Sequence, residues 1–269
     1  MSLPPQLQQT IRLLIRANHI LHHHALVDAF GHISIRHTLN PSQYIIAAYD
    51  PGAPALVRSS QDFIAYHVAD SSPVDSNAPQ GYSERFIHGE IFKRFPEAKC
   101  VVHSHSEVVI PFTLGGVDVK PVFHMAGFLG AEGVAMSDNT DVEGRKGLDM
   151  LVKSACLGAA LASKLSEDRP VVLQHKHGFT TYGRSVEEAV YRAIYTQSNC
   201  KLLSQAIAFA GDASKVSYLT AEEANACRIM NEKCQDKSFR LWLREVQASP
   251  LYENQEGEPE KGKVAGMRM

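Results

Sequence analysis

The chemistry of this chain concentrates in its histidines. Val101-Val102-His103-Ser104-His105 leads two apolar residues into two histidines spaced two apart. On a strand that spacing points both imidazoles to one face. A second apolar run, Val171-Val172-Leu173-Gln174, ends in His175-Lys176-His177-Gly178. His175 and His177 share strand parity, so this locus offers two candidates. His177 is preferred, because Gly178 lets the backbone turn tightly beside a bound ion. Three neutral imidazoles and an acidic residue make a divalent-metal site with room for a substrate. Catalysis there needs a carboxylate that can ligate or move a proton. Glu84 is the candidate, in the first turn of a helix capped by Ser83, where the positive helix end favours its ionised form. His88, four residues on and on the same face, is read as supporting or packing rather than ligating.

Further residues could meet a substrate. His32 follows Gly31 at a loop-to-strand junction, and His124 ends a short apolar run, Pro121-Val122-Phe123. Arg36 and Arg85 could hold a carboxylate through arginine's bidentate fit, with an ordinary ion pair as the competing reading. His22, His23 and His24 fan around the end of a helix and cannot all face one ion; residues suited to a helix C-terminus is the simpler account.

The elements that must position these groups alternate between helix and strand. Pro4 and Pro5 open a helix whose apolar residues, from Leu7 to Ile20, recur near 3.6-residue spacing, and it runs to about Leu26. Strands are expected over 31–36, 44–48 and 63–68, with loops at 50–60 and 70–82. A helix over 84–95 stops at Pro96. Residues 100–104 form a buried strand, 105–113 a short helix and 117–123 another strand. Residues 143–164 read as a helix, 170–174 and 179–182 as strands, and 186–210 and 221–246 as helices. This order predicts one α/β domain over residues 1–252, with a central, mainly antiparallel sheet flanked by helices. From Glu253 to Met269 the apolar pattern stops, and that tail is expected to be disordered.

Bulk properties narrow the function classes. A formal net charge of -2, with lysines and arginines scattered, leaves no electrostatic footprint for nucleic acid or an anionic membrane. The five cysteines are odd in number and lack CxxC spacing, so reduced thiols are expected. There is no apolar signal core, no run approaching a membrane span and no Asn-X-Ser/Thr acceptor free of proline. The expected location is the cytoplasm.

Four motifs, taken in order, resemble the class II aldolase/adducin family: Gly31-His32-Ile33-Ser34-x-Arg36, Glu84-Arg85-Phe86-Ile87-His88, His103-Ser104-His105 and His177-Gly178-x-x-x-x-Gly183. The resemblance covers about residues 7–212. It implies that His103, His105 and His177 are the metal ligands of one divalent ion per chain, zinc or manganese before cobalt or iron(II). It places Glu84 as the catalytic carboxylate, and it implies a homo-oligomer, a tetramer first, with sites at subunit boundaries. Sugar-phosphate aldolases of the family carry Gly-Asn where Gly31-His32 stands and paired serines where this chain has Tyr82-Ser83. They use a tyrosine just after the position of His124, where this chain has Met125, which cannot donate a proton. The chain is more similar to the decarboxylase-like branch, whose members act on carboxy-muconic semialdehydes, dihydroxyphthalates and pyridine dicarboxylates. The expected reaction is loss of CO2 from a small carboxylate substrate through a metal-stabilised enolate. His32, Arg36, Arg85 and His124 would be the substrate contacts. Rival readings are an aldolase on an unphosphorylated hydroxy-keto acid, an isomerase or cyclase of secondary metabolism, and a non-catalytic adducin-like scaffold.

Overall fold

A computed structural model describes residues 3–51, 53–143 and 147–260. Seven short strands form one sheet: β1 (His32–Arg36), β2 (Gln43–Ala47), β3 (Phe63–His67), β4 (Cys100–Ser104), β5 (Ala135–Ser137), β6 (Val171–Gln174) and β7 (Gly178–Gly183). Their order is β3-β2-β1-β4-β7-β6-β5, and every pairing is antiparallel except that of β5 with β6. The expected mainly antiparallel α/β architecture is the observed one.

Strands β1, β4 and β7 are buried along their whole length because helices cover both faces. On one face Ile33, Val102, Leu173 and Phe179 pack with Leu14 and Ile15 of α1 (Pro5–His23), Val190 and Ile194 of α4 (Val186–Ala210) and Trp242 of α6 (Gln235–Gln247). On the other, Tyr44, Ile46, Val101, Val172 and Tyr182 pack with Ile87 and Ile91 of α2 (Arg85–Arg94) and Leu157 and Leu161 of α3 (Ala155–Ser163). Ser34 pairs with Val101, and Val101 with Tyr182, so His32, Ser34, His103 and Thr180 share the parity of the α2/α3 face.

Several local expectations fail for physical reasons. Residues 117–123 are not a strand: Asn199 of α4 takes the Val122 N–H and donates to the Lys120 carbonyl, both at 2.9 Å, instead of a neighbouring strand. The helix expected over 143–164 is confined to α3, because Ser154 caps it by accepting the Leu157 N–H; residues 144–146 lie outside the described part. The single helix over 221–246 is two, α5 (Ala221–Glu232) and α6, broken where Cys234 takes φ -129°. Strand β5, at three residues, carries no readable pattern. The first helix ends at His23, and Ala25 turns the chain with φ 54°.

The tail differs from its composition as well. Residues 253–260 run back along α1, where Arg16 pairs with Glu258 and Arg12 donates to the Glu256 carbonyl at 2.5 Å. The Gln255 N–H reaches the Arg58 carbonyl at 2.8 Å. Charge pairing and backbone bonds hold this stretch, neither of which leaves an apolar period. The rest of the tail, 261–269, lies outside the described residues. Among the described residues no helix is long and apolar enough to cross a membrane.

Next to this tail, His19 is fully buried on α1, with Nε2 2.7 Å from the Val57 carbonyl and its ring stacked on Tyr252. Burial pushes its pKa down from 6.5 to about 4, so the folded protein holds it neutral while the unfolded chain protonates first. The resulting loss of stability sets in as pH falls below 6.5 and is complete near 4, on the order of 3 kcal/mol. Urea melts of parent and His19→Gln across this window should show a shallower acid decline in the variant, which keeps an N–H for Val57.

Candidate metal centre

The site is a row across three strands, closed by two loops and a helix end. His32 on β1 lies opposite His103 on β4, which lies opposite Thr180 on β7. His105 follows the end of β4, and His177 sits in the turn between β6 and β7. The positive φ in that turn belongs to Lys176, not to Gly178. Gly178 is needed for close approach: a Cβ there would lie 2.1 Å from the Ser104 carbonyl oxygen, so any side chain would push β7 off β4. Gly31, with φ 74°, does require glycine's freedom.

The three imidazoles converge through their Nε2 atoms. His105 Nε2 is 2.9 Å from His103 Nε2 and 3.0 Å from His177 Nε2. Glu84 Oε2 stands 3.8 Å from His103 Nε2 and 3.6 Å from His177 Nε2. All four ligand atoms lie within 4.8 Å of one another. Glu84 occupies the cap position of α2, one residue beyond the expected Ser83, and its other oxygen accepts the Val152 N–H at 2.9 Å.

The donor set can be tested for a cation by following hydrogens. Thr180 Oγ1 donates to Gln174 Oε1 at 2.8 Å, so it must accept from His103 Nδ1, 3.0 Å away. His103 therefore carries its hydrogen on Nδ1 and points a lone pair from Nε2. One hydrogen on His105 Nε2 could satisfy only one of its two neighbours. A divalent cation satisfies all three nitrogens and the carboxylate together, and the residues fit it. Burial, and then the neighbouring imidazoles, hold His103 and His105 below their ordinary range, so both present lone pairs rather than charge. The N3O set suits zinc, manganese, cobalt or iron(II) alike.

Beside the cluster opens a cavity of about 410 Å³, lined by Phe30, Tyr49, Tyr82 and Leu151 together with His32, Glu84 and His105. Among the described residues no lysine or arginine lines it.

Two of the expected substrate contacts are framework residues. Arg36 spends its guanidinium on backbone carbonyls: Ala98 and Pro41 at 2.8 Å, Phe92 at 2.6 Å and Phe95 at 3.0 Å. It closes the C-terminal end of α2, whose last carbonyls need donors. Arg85 donates to the Ser71 carbonyl at 2.9 Å and lies over the rings of Phe86 and Tyr66. His124 is exposed on a short turn of helix, its carbonyl held by Asn231, and lies outside this cavity. Only His32, of the four, lines it. His175 turns away from the cluster and pairs with Asp138 at 2.5 Å. Thr180, Gln174 and Val152, which orient the ligands, escape a reading of motifs. For Thr180 the pairing of β4 with β7 is the signal that finds it.

The class II aldolase and adducin N-terminal domain model matches residues 12–204, and the chain belongs to this family. Decarboxylase tropJ of Talaromyces stipitatus is 38% identical over 94% of this chain and 99% of its own length. The 3,4-dihydroxyphthalate decarboxylase of Terrabacter sp. is 31% identical over 75% of this chain and 81% of its own. An aldolase II superfamily protein from Pseudomonas syringae shares the fold, with a TM-score of 0.74 at 18% identity over 93% of this chain and 97% of its own. By family and relatives the chain is an enzyme, a lyase of decarboxylase-like type.

Two substitutions probe the supports of the centre. Thr180→Val removes the acceptor for His103 Nδ1 at nearly constant volume, and should weaken zinc about 10- to 100-fold in a chelator competition titration. Gly178→Ala should lower stability by about 1–3 kcal/mol through overpacking against Ser104 and reduce bound metal, read by chemical denaturation and elemental analysis.

Proposed function

We propose that this protein decarboxylates a small aromatic or enolisable carboxylic acid that carries an oxygen beside the carbon losing CO2, with one divalent ion per chain. The observation that carries this reading is the convergence of His103, His105, His177 and Glu84 at the wall of an aromatic-lined cavity. The relatives named as decarboxylases support it, one of them for an aromatic dihydroxy diacid. His103, His105 and His177 would hold the ion with Glu84, zinc or manganese first. When bound, it supplies Lewis-acid charge to the oxygen on which electrons accumulate as CO2 leaves.

The chain's own residues supply the rest. Phe30, Tyr49 and Tyr82 offer ring faces to a flat substrate. His32 contacts one of its oxygens. Breaking the C–C bond leaves an electron pair on the ring or α-carbon, which must take a proton. Glu84 has one oxygen held by Val152, and Oε2, turned to the cluster, would take a proton from solvent water and pass it to that carbon. A homotetramer completes the reading. Phe30 and Tyr49, 59% and 53% exposed at the rim, are surface that a neighbouring subunit would cover, and His124 is free to reach a neighbour's cavity.

Freshly purified protein should contain about one divalent ion per chain by elemental analysis, and the His103→Ala/His105→Ala variant little. With 3,4-dihydroxyphthalate as test substrate, the parent should release CO2, and Glu84→Gln should lower kcat by about 10²- to 10⁴-fold. Full activity in metal-stripped protein, or release of an aldehyde in place of CO2 from a panel of hydroxy-keto acids, would sink the proposal.

A further inference from the structure

Behind the cavity wall runs a second set of imidazoles outside the ligand cluster. His88, fully buried on α2, stands between two partners: its Nδ1 is 2.6 Å from Ser34 Oγ, and its Nε2 is 2.7 Å from His32 Nδ1. Ser34 is itself fully buried in β1, and among the described residues its hydroxyl has no other hydrogen-bond partner. A hydroxyl has one hydrogen to give, and a neutral imidazole has one donor and one acceptor nitrogen. Were His88 Nδ1 to donate to Ser34, the hydroxyl hydrogen would be stranded in the sheet interior, which buried polar groups avoid. Ser34 therefore donates to His88 Nδ1. The hydrogen of His88 sits on Nε2 and is donated to His32 Nδ1. Burial pushes His88 down to about 3, so its ring carries a single N–H, and His32 Nδ1, facing that N–H at 2.7 Å, accepts it.

His32 is then left with its hydrogen on Nε2. That atom has no side-chain hydrogen-bond partner among the described residues, and His32 lines the cavity beside Glu84 and His105. We propose that Ser34 and His88 are positioning residues that lock His32 in its Nε2–H form, giving the cavity a fixed, neutral hydrogen-bond donor for a substrate oxygen. The nature of that oxygen rests on the decarboxylase reading; the direction of the hydrogens does not. A donor of fixed sense selects for an acceptor at this point, a carbonyl, carboxylate or phenolate oxygen. It disfavours a hydroxyl that must itself donate.

The direction can be read without turnover. In zinc-loaded protein carrying ¹⁵N-histidine, with His32→Gln to assign the resonances, imidazole nitrogen spectra should show His32 Nδ1 unprotonated and Nε2 protonated. Ser34→Ala removes the donor that sets the sense, and His32 should shift toward the Nδ1–H form. His88→Gln preserves the sense, since its carbonyl can accept from Ser34 and its amide can donate to His32. With 3,4-dihydroxyphthalate as probe, His88→Ala should raise KM on the order of tenfold with a smaller change in kcat, and His88→Gln should return it to within about threefold. An Nδ1–H His32 in the parent overturns the assignment, as does the same tautomer in parent and Ser34→Ala. An unchanged KM in His88→Ala overturns the positioning role. If the tautomer is as expected and the diacid is not turned over, the substrate reading fails and the assignment of hydrogens stands.

Discussion

Everything in this site depends on the antiparallel register of β1, β4 and β7. That register sets His32, His103 and Thr180 side by side on one face of the sheet. A slip of one residue in β4 would carry His103 to the opposite face, among Ile33, Leu173 and the α1 and α4 side chains, and bring Val102 to the ligands. The same slip would bury a polar ring without partners and expose apolar surface in the site. The partition of the two cores and the position of the converging imidazoles are thus one constraint. Gly178 guards it, because the close contact of β7 with Ser104 leaves no space for a side chain.

Burial then decides the electrical state of the ligands. His103 is fully buried, and its nearest ionisable neighbours are other imidazoles. In that setting a proton on His103 or His105 is disfavoured twice, by lost hydration and by the rings around it. The cluster presents converging lone pairs, with a single carboxylate beside them. A cation is the one partner that answers all of these groups at once, and Thr180 and Gln174 keep the first ring turned correctly. His19 shows the same burial effect away from that cluster, with the Val57 carbonyl and Arg16 as its hydrogen-bond partners. There the consequence is only acid sensitivity.

Much of this was legible in the residues. The spacing of His103 and His105, the preference for His177 over His175, and the place of Glu84 all rest on side chains that must share a point. Sequence periodicity also anticipates most strands, because continuous apolar runs mark a sheet covered on both faces. Arg36 and Arg85 lie apart from the cavity lining for a specific reason. An arginine able to grip a carboxylate can equally close a helix end or a loop, and only the position of unpaired carbonyls decides between these uses. Thr180 and Ser34 stayed hidden because a hydroxyl in a strand carries no signal until its neighbour across the sheet is known. The anchoring of 253–260 leaves no trace in the sequence pattern, because polar contacts with Arg12 and Arg16 create no apolar period.

The two departures from the sugar-phosphate aldolases acquire a physical link in the fold. His32 stands where those enzymes have an asparagine, and Tyr82 where they have a serine. Their rings lie 4.9 Å apart in the same cavity wall. Two rings fill this part of the wall together, so under the proposed function the two changes act as one against a phosphorylated substrate. His32 also brings its own requirement. A buried imidazole needs a partner for its inner nitrogen, and His88 supplies it from α2 with Ser34 behind. In the proposed reading, the ring that narrows the cavity wall and the donor offered to the substrate are therefore the same side chain. Replacing the ring at position 32 therefore also disturbs the buried pair that supports it.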